Sequence, residues 1–163
     1  MKATETKFLD FLKGPKQFLI PIYQRTYSWT LKQCGQLWSD IVAAAQDDAV
    51  SGHFVGSVVY IEKGLYQISS VPQLLVIDGQ QRLTTLSLLL SALGKAMRVQ
   101  AAEGDINQKK INNYFLFNND EDGELRYKLL LTHGDKQTLI RLLEGGELPD
   151  APSKRVAENY RFF

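Results

Sequence analysis

The sequence predicts an α+β fold in which helices pack on a small mixed β-sheet. Segments 30–46 and 82–99 have apolar residues at helical spacing. Short stretches rich in β-branched and aromatic residues, such as 53–62, are typical of strands. The strand-like run "QLLVID" leads through Asp78-Gly79 directly into a leucine-rich helix. We therefore expect this turn to join a central strand to a buried helix.

The first predicted elements are a short helix, an extended segment and an amphipathic helix. Apolar residues up to Leu12 have helical spacing, and a Gly-Pro pair ends that helix. The next stretch, "QFLIPIYQRTYSW", has many aromatic and β-branched residues and an internal proline, which favours extended chain. Thr30 followed by Gln33 resembles a capping box and predicts a helix that ends near Gln46.

The middle of the chain predicts strands followed by the longest helix. The run "HFVGSVVYIE", residues 53–62, is strand-like, and a second short run after Gly64 precedes the strand that ends at Asp78. This order predicts a hairpin or meander. From Arg82 to about Val99 the leucines mark a strongly apolar helix, which we expect to lie in the core.

The last third predicts two helices separated by a turn and a strand. Residues from Ile106 to Phe117 have a helical pattern, "NNDEDGE" is typical of a solvated turn, and "LRYKLLLT" is strand-like. Asp135 is a candidate N-cap for a short helix through Leu143, which two glycines then close.

The domain boundary is predicted after residue 148. Residues 1–148 form one domain, and the two prolines at the start of 149–163 indicate a linker. Ser153 could cap a further helix. Because the chain stops inside an amphipathic pattern, we expect residues 149–163 to begin a following helix of a longer protein.

Composition limits the classes of function. The 163 residues, 44% of them hydrophobic, are enough for one domain with a core. The chain has 19 basic and 18 acidic residues, so its net charge is close to zero. Any contact with nucleic acid must therefore rest on a local group of charges. The single cysteine, Cys34, excludes an internal disulfide and a cysteine-rich zinc site. The chain has no signal-peptide pattern and no apolar run of membrane-spanning length. We expect a cytoplasmic protein without a membrane partner.

The turn after Asp78 has the features of an anion site. Unbonded amides and the positive end of the helix dipole meet at the start of a helix. Gly79 permits a tight turn, Arg82 can bind two phosphate oxygens, and Asp78 could hold Mg²⁺ or Ca²⁺ or position a water. The side chains that could bind further oxygens or orient water are those of Gln80, Gln81, Thr84 and Thr85.

The stretch "IPIYQRTYSW" is a second candidate site. It combines rings that can stack on a base with a guanidinium and an amide, which suits nucleotide recognition. The residues concerned are Tyr23, Gln24, Arg25, Tyr27 and Trp29.

Both candidate sites have a plainer structural interpretation. Asp78 could simply cap the helix while Arg82 pairs with a surface carboxylate. The second stretch could be an edge strand whose rings fill the core while Arg25 stays exposed. Taken singly, neither motif separates these alternatives.

Six segments, taken together and in order, carry a more specific signal than either motif alone. They are "IPIYQRTYSW", "LWSDI", "HFVGSVV", "VIDGQQRLTTL", "RYKLLLT" and "DKQTL". In this order they resemble the N-terminal domain of GmrSD-type modification-dependent restriction endonucleases, the ParB/sulfiredoxin-like family with the DGQQR signature. The resemblance covers nearly all of Phe18 to Leu143 and implies a ParB/sulfiredoxin-like small mixed sheet packed with helices.

The resemblance implies a nucleotide-binding domain that hydrolyses an NTP in defence against foreign or modified DNA. We expect hydrolysis, with a divalent metal at Asp78, to gate DNA cleavage by another domain. The implied catalytic residues are Asp78, Gln80, Gln81 and Arg82. The expected nucleotide-binding residues are Tyr23, Gln24, Arg25, Gly79 and Arg82 by the resemblance, and Thr84 and Thr85 by their place in the first turn of the helix.

The sequence departs from the full family pattern in one respect. Such proteins usually continue into a helical region and a His-Asn-His-type nuclease domain, and we expect a C-terminal nuclease domain as a partner. The two histidines, His53 and His133, fall on different predicted elements, so we expect neither to be a ligand or a catalytic base. An alternative stays open: a binding module that recognises DNA phosphates or a modified base without turnover.

Three further residues have open interpretations. Asp40 could supply a second metal-binding carboxylate or be a solvated helix residue. Gly56 could mark a bulge, a close approach to a ligand, or a crowded contact between helix and sheet. Cys34 lies on the predicted buried face of its helix, so we do not expect a reactive thiol.

Overall fold

The elements along the chain follow the predicted α+β order. The computed structural model describes residues 3–49, 52–62, 71–99 and 106–163. Within these residues six α-helices accompany one four-stranded mixed sheet, which confirms the predicted fold class. The elements are α1 (Phe8–Leu12), β1 (Gln17–Leu19), α2 (Leu31–Gln46), β2 (Val59–Glu62), β3 (Gln73–Asp78), α3 (Gln80–Val99), α4 (Gln108–Ile111), β4 (Leu129–Leu130), α5 (His133–Glu144) and α6 (Lys154–Phe162).

The sheet has the strand order β2-β3-β1-β4, with β1 at its centre. Strand β1 runs parallel to β3 and β4, and β2 is antiparallel to β3. Phe18 pairs with Leu74 on one side and Leu129 on the other, and all three side chains are buried. The antiparallel β2 and β3 confirm the predicted pairing, and the second short run after Gly64 falls outside the described residues.

Helix α3 lies in the core, as its leucine spacing predicts. Leu83 and Leu88 on this helix are almost completely buried. Helix α6 packs against α2, α3 and α5 and buries Val156 and Asn159 completely. This last helix therefore shares the core of the preceding elements. No helix among the described residues is long and apolar enough to cross a membrane.

The signals predicted for the start of α2 and the end of α5 are confirmed. Thr30 and Gln33 form the capping box of α2, in which the side chain of each residue accepts a hydrogen bond from the backbone amide of the other. Gly145 ends α5 in the left-handed conformation, with φ of 69°. The segment before Phe117 is helical as predicted, although α4 continues as a π-helical turn over Asn112–Leu116.

Three predictions about local structure are wrong. The strand predicted over 53–62 begins only at Val59, because the preceding residues run past the start of α3 with Gly56 at φ of 97°. Asp135 does not cap α5, which begins earlier; its buried carboxylate accepts a hydrogen bond from the Tyr27 amide at 2.6 Å. The strand predicted over 125–132 is reduced to Leu129–Leu130, because a 3₁₀ turn occupies Gly123–Arg126.

A buried lysine lies beside the central strand. Lys128 is only 3% exposed, and its ammonium group donates hydrogen bonds to the carbonyls of Leu12 and Gly14. Burial, with a smaller contribution from the Lys16 charge, lowers the pKa of Lys128 to about 8. The folded state therefore disfavours the protonated form relative to the unfolded chain.

This lysine predicts a rise in stability with pH. Between about pH 8 and the usual lysine pKa, the unfolded chain binds more protons than the folded chain, so the free energy of unfolding increases as pH rises. The slope is at most about 1.4 kcal/mol per pH unit. Urea unfolding of the wild type and Lys128→Met at pH 7, 8, 9 and 10 measures it. The variant should lack this slope, and parallel profiles for the two proteins would contradict the prediction.

Candidate functional site

The junction between β3 and α3 is a tight turn that requires glycine. Gly79 has φ of 94°, which a residue with a side chain rarely adopts. A Cβ atom at Gly79 would lie 2.8 Å from the Ser57 carbonyl oxygen and 3.1 Å from the Val58 Cα. The glycine therefore allows the turn to pack directly against the backbone before β2.

The first amides of α3 are left unbonded by the chain. The amide of Leu83 makes the first intrahelical bond, to Gly79 at 3.0 Å. Among the described residues, the backbone N–H groups of Gln80, Gln81 and Arg82, which precede Leu83, have no hydrogen-bond acceptor. Asp78 is exposed and does not cap the helix. Three donors and the positive end of a 20-residue helix thus remain for an anion.

Arg82 forms one wall of this junction. Its Nη1 donates to the Ser57 carbonyl at 2.7 Å, and it makes no ion pair with a described residue. A Cβ atom at Gly56 would lie 2.6 Å from Arg82 Nε. The crowded contact foreseen for Gly56 is therefore with the guanidinium of Arg82. The alternative in which Arg82 pairs with a surface carboxylate is not seen among the described residues.

The structure brings the first motif against the same junction. Gln24 Nε2 donates to the Ile77 carbonyl at 2.6 Å, and Gln80 Nε2 donates to the Arg25 carbonyl at 3.1 Å. The side chains of Tyr23 and Arg25 remain exposed, Tyr23 by 69%. Two motifs separated by more than fifty residues in the sequence thus meet at one end of α3.

Gln81 holds the next part of this loop. Its Oε1 accepts hydrogen bonds from the amides of Ser28 at 2.8 Å and Trp29 at 3.2 Å. Its Nε2 donates to the Thr26 carbonyl at 3.3 Å. Gln80 and Gln81 are both buried. Both the oxygen and the nitrogen of the Gln81 side-chain amide are therefore bonded to the loop.

The two threonines of the second motif lie inside the fold. Thr84 and Thr85 are 2% and 0% exposed, and their hydroxyls donate to the carbonyls of Gln80 and Gln81, each at 2.8 Å. The sequence analysis predicted that these hydroxyls bind ligand oxygens or orient water. Because both are buried and bonded within the chain, a ligand could reach them only if the loop opened.

Tyr27 connects this turn to the last helix. Its hydroxyl lies 2.7 Å from Thr85 Oγ1 and accepts a hydrogen bond from Asn159 Nδ2 at 2.8 Å. Burial raises the pKa of the Tyr27 phenol well above its usual range, so the hydroxyl keeps its proton. Asn159 was not predicted from the sequence, since it lies in the segment assigned to a linker and a following helix, and no local motif marks it.

Asp40, the two histidines and Cys34 make other contacts. Asp40 Oδ2 lies 3.7 Å from His53 Nε2. His133 is exposed, with its Nε2 3.4 Å from the Ile22 carbonyl. Burial raises the pKa of the Cys34 thiol, which fits an unreactive cysteine.

A cavity of about 260 Å³ lies beside Asp40 and His53. Its lining does not include the DGQQR residues. Within the described part of the chain, no three His, Cys, Asp or Glu side chains are close enough to share a metal ion. The residues that line the cavity are Asp40, Ala43, Ala44, Asp47, Gly52 and His53.

Comparison with known proteins identifies one family. The family model described as "GmrSD restriction endonuclease, N-terminal domain" matches residues 8–162. The match begins with α1 and ends with α6, so it includes every described helix and strand. A comparison with curated proteins found no match.

The two buried glutamines predict unequal effects on stability. Gln81→Met should lower the free energy of unfolding by about 2 to 3 kcal/mol, because two loop amides lose their acceptor. Gln80→Met should lower it by only about 1 kcal/mol, because it breaks one hydrogen bond at equal burial. Urea unfolding measures both variants. Equal losses would show that burial, and not the number of bonds to the loop, decides the effect.

Proposed function

Because the chain belongs to the family of GmrSD restriction endonuclease N-terminal domains, we propose that it binds and hydrolyses a nucleoside triphosphate at the β3–α3 junction. Family membership gives the setting, which is restriction of DNA in defence. Within that setting, hydrolysis would gate cleavage by a C-terminal nuclease domain. The DNA concerned would be foreign or modified.

The observation that carries this proposal is the meeting of both motifs at the start of α3. Three backbone amides at this helix end are unbonded, Arg82 lies beside them, and the exposed Arg25 belongs to the loop that Gln80 bonds. Oriented amides combined with guanidinium groups are suited to phosphate oxygens. Tyr23 precedes Gln24, which bonds to Ile77, and its exposed ring offers a surface on which a nucleobase can stack.

The charged residues have distinct proposed roles. Arg82 keeps its place through Ser57 and can donate its other N–H groups to the phosphates, while Arg25 neutralises charge from the loop. The carboxylate of Asp78 is exposed, has no described partner and adjoins the anion site, so its oxygens fit a hard divalent cation. Mg²⁺ or Ca²⁺ bound there would supply further positive charge to the phosphates.

The structure favours a division of labour between the two glutamines. Both polar ends of Gln81 are bonded to the loop, so this residue would hold the site in shape. Gln80 uses only its Nε2, and its Oε1 has no partner among the described residues. We therefore assign to Gln80 the role of accepting a hydrogen bond from the attacking water.

A DNA-binding module without turnover is the second candidate function. Tyr23 and Ile22 are 69% and 77% exposed and belong to the same short stretch as the exposed Arg25. The same surface could stack on a base and bind DNA phosphates. Calorimetry with NTPs and with short duplexes, followed by a phosphate-release assay, separates the two functions. Duplex binding without NTP binding or phosphate release would favour the module.

Loss of the Arg82 guanidinium should strongly weaken nucleotide binding. Arg82→Gln should raise the Kd for NTP by roughly 100-fold, as expected when a charge-assisted pair of hydrogen bonds to phosphate is removed. Arg98→Gln is the matched control, because Arg98 lies on the same helix, exposed, and about 24 Å further along at 1.5 Å per residue. Calorimetry measures both. Unchanged affinity in Arg82→Gln, with the fold retained, would defeat the proposed site.

Asp78 should matter more for turnover than for binding. Asp78→Asn keeps the shape of the side chain but weakens a divalent-metal ligand. We expect phosphate release to fall by at least about tenfold in the presence of Mg²⁺, while metal-free NTP binding stays within about twofold. Steady-state phosphate release and metal-free calorimetry measure the two quantities. Equal turnover in the variant would remove Asp78 from the mechanism.

A further inference from the structure

Asn159 lies on α6 but is connected to the loop that carries the first motif. The residue is completely buried. Its Nδ2 donates to the Tyr27 hydroxyl and to the Trp29 carbonyl, both at 2.8 Å. Because a carbonyl can only accept, the contact with Trp29 fixes which end of the side-chain amide faces the loop. Asn159 therefore bonds the loop through both a side chain and the backbone.

These hydrogen bonds form a chain with a single direction. The Thr85 hydroxyl donates its proton to the Gln81 carbonyl, so its oxygen accepts the proton of the Tyr27 hydroxyl. The oxygen of Tyr27 in turn accepts from Asn159. The chain thus runs from α6 through Tyr27 and Thr85 to the first turn of α3. Each member fixes the orientation of the next, which makes the network sensitive to the position of α6.

Asn159 also carries an unsatisfied polar atom. Its Oδ1 is buried and has no hydrogen-bond partner among the described residues. A buried acceptor without a partner disfavours the folded state. Leucine has nearly the same shape and would avoid this penalty. An asparagine at this position therefore contributes through its donor, which acts on the loop, more than through packing.

We propose that Asn159 is a positioning residue for the nucleotide site, and that α6 thereby controls nucleotide affinity. Asn159 acts through Tyr27 and the loop that carries Arg25, without touching the nucleotide. The inference rests on the function proposed above and adds its regulation. A shift of α6, produced by whatever engages that helix, would loosen the loop and the amides at the start of α3.

The test compares a polar and an apolar change on the same helix. Asn159→Leu removes the donor while keeping the side-chain shape. Val156→Ala is the matched control, because Val156 is equally buried on α6 and has no polar link to the loop. Tyr27→Phe and the double variant Tyr27→Phe/Asn159→Leu complete a cycle. NTP affinity is measured by calorimetry and stability by urea unfolding, for all variants and the wild type.

The inference predicts a separation between affinity and stability. Asn159→Leu should weaken NTP binding by about tenfold, and Tyr27→Phe by a similar factor, while Val156→Ala changes it by less than about twofold even where its loss of stability is greater. The double variant should lose much less than the product of the two single losses, because both break one network.

The remaining outcomes contradict either the role of Asn159 or the proposed function. If Asn159→Leu and Val156→Ala weaken binding equally, or if the losses of Tyr27→Phe and Asn159→Leu simply multiply, Asn159 is structural and the inference fails alone. If the wild type binds no NTP, the proposed function fails and the inference falls with it. An intact affinity in Asn159→Leu also defeats the inference while leaving the proposed function in place.

Discussion

The candidate site depends on the way two consecutive glutamines hold a loop from a distant part of the chain. Gln80 and Gln81 bond to successive groups between Arg25 and Trp29, and the loop has almost no regular structure of its own. A buried loop must satisfy its backbone amides and carbonyls, and side-chain amides can do both with one residue. Together with the bond from Gln24 to the Ile77 carbonyl, these bonds fix the loop relative to the start of α3.

Close packing of backbone against backbone is the second constraint. Gly79 lets the turn approach Ser57 and Val58, and Gly56 leaves space for the guanidinium of Arg82. Any side chain at these two glycines would move a wall of the junction, since both also have positive φ. The turn and its neighbouring segment are therefore packed closely, with backbone against backbone at Gly79.

Much of the fold could be predicted from the sequence, because its main elements have clear periodicity. The capping box at Thr30, the leucine-rich helix and the turn at Gly79 are local patterns, and the structure has each of them. The use of Asp135 and the burial of Asn159 could not be predicted, because both depend on tertiary contacts with the loop around Tyr27. The burial of Thr84 and Thr85 likewise depends on tertiary packing around the start of α3, which the local sequence does not reveal.

Helix geometry explains why the residues of the second motif are adjacent and not spaced by three or four. Successive residues on a helix point about 100° apart. Gln80 and Gln81 therefore reach neighbouring parts of the loop, while Arg82 points to the opposite side and reaches Ser57. In the signature DGQQR, both glutamines thus bond to the loop, while Arg82 bonds to Ser57 on the other side of the helix start.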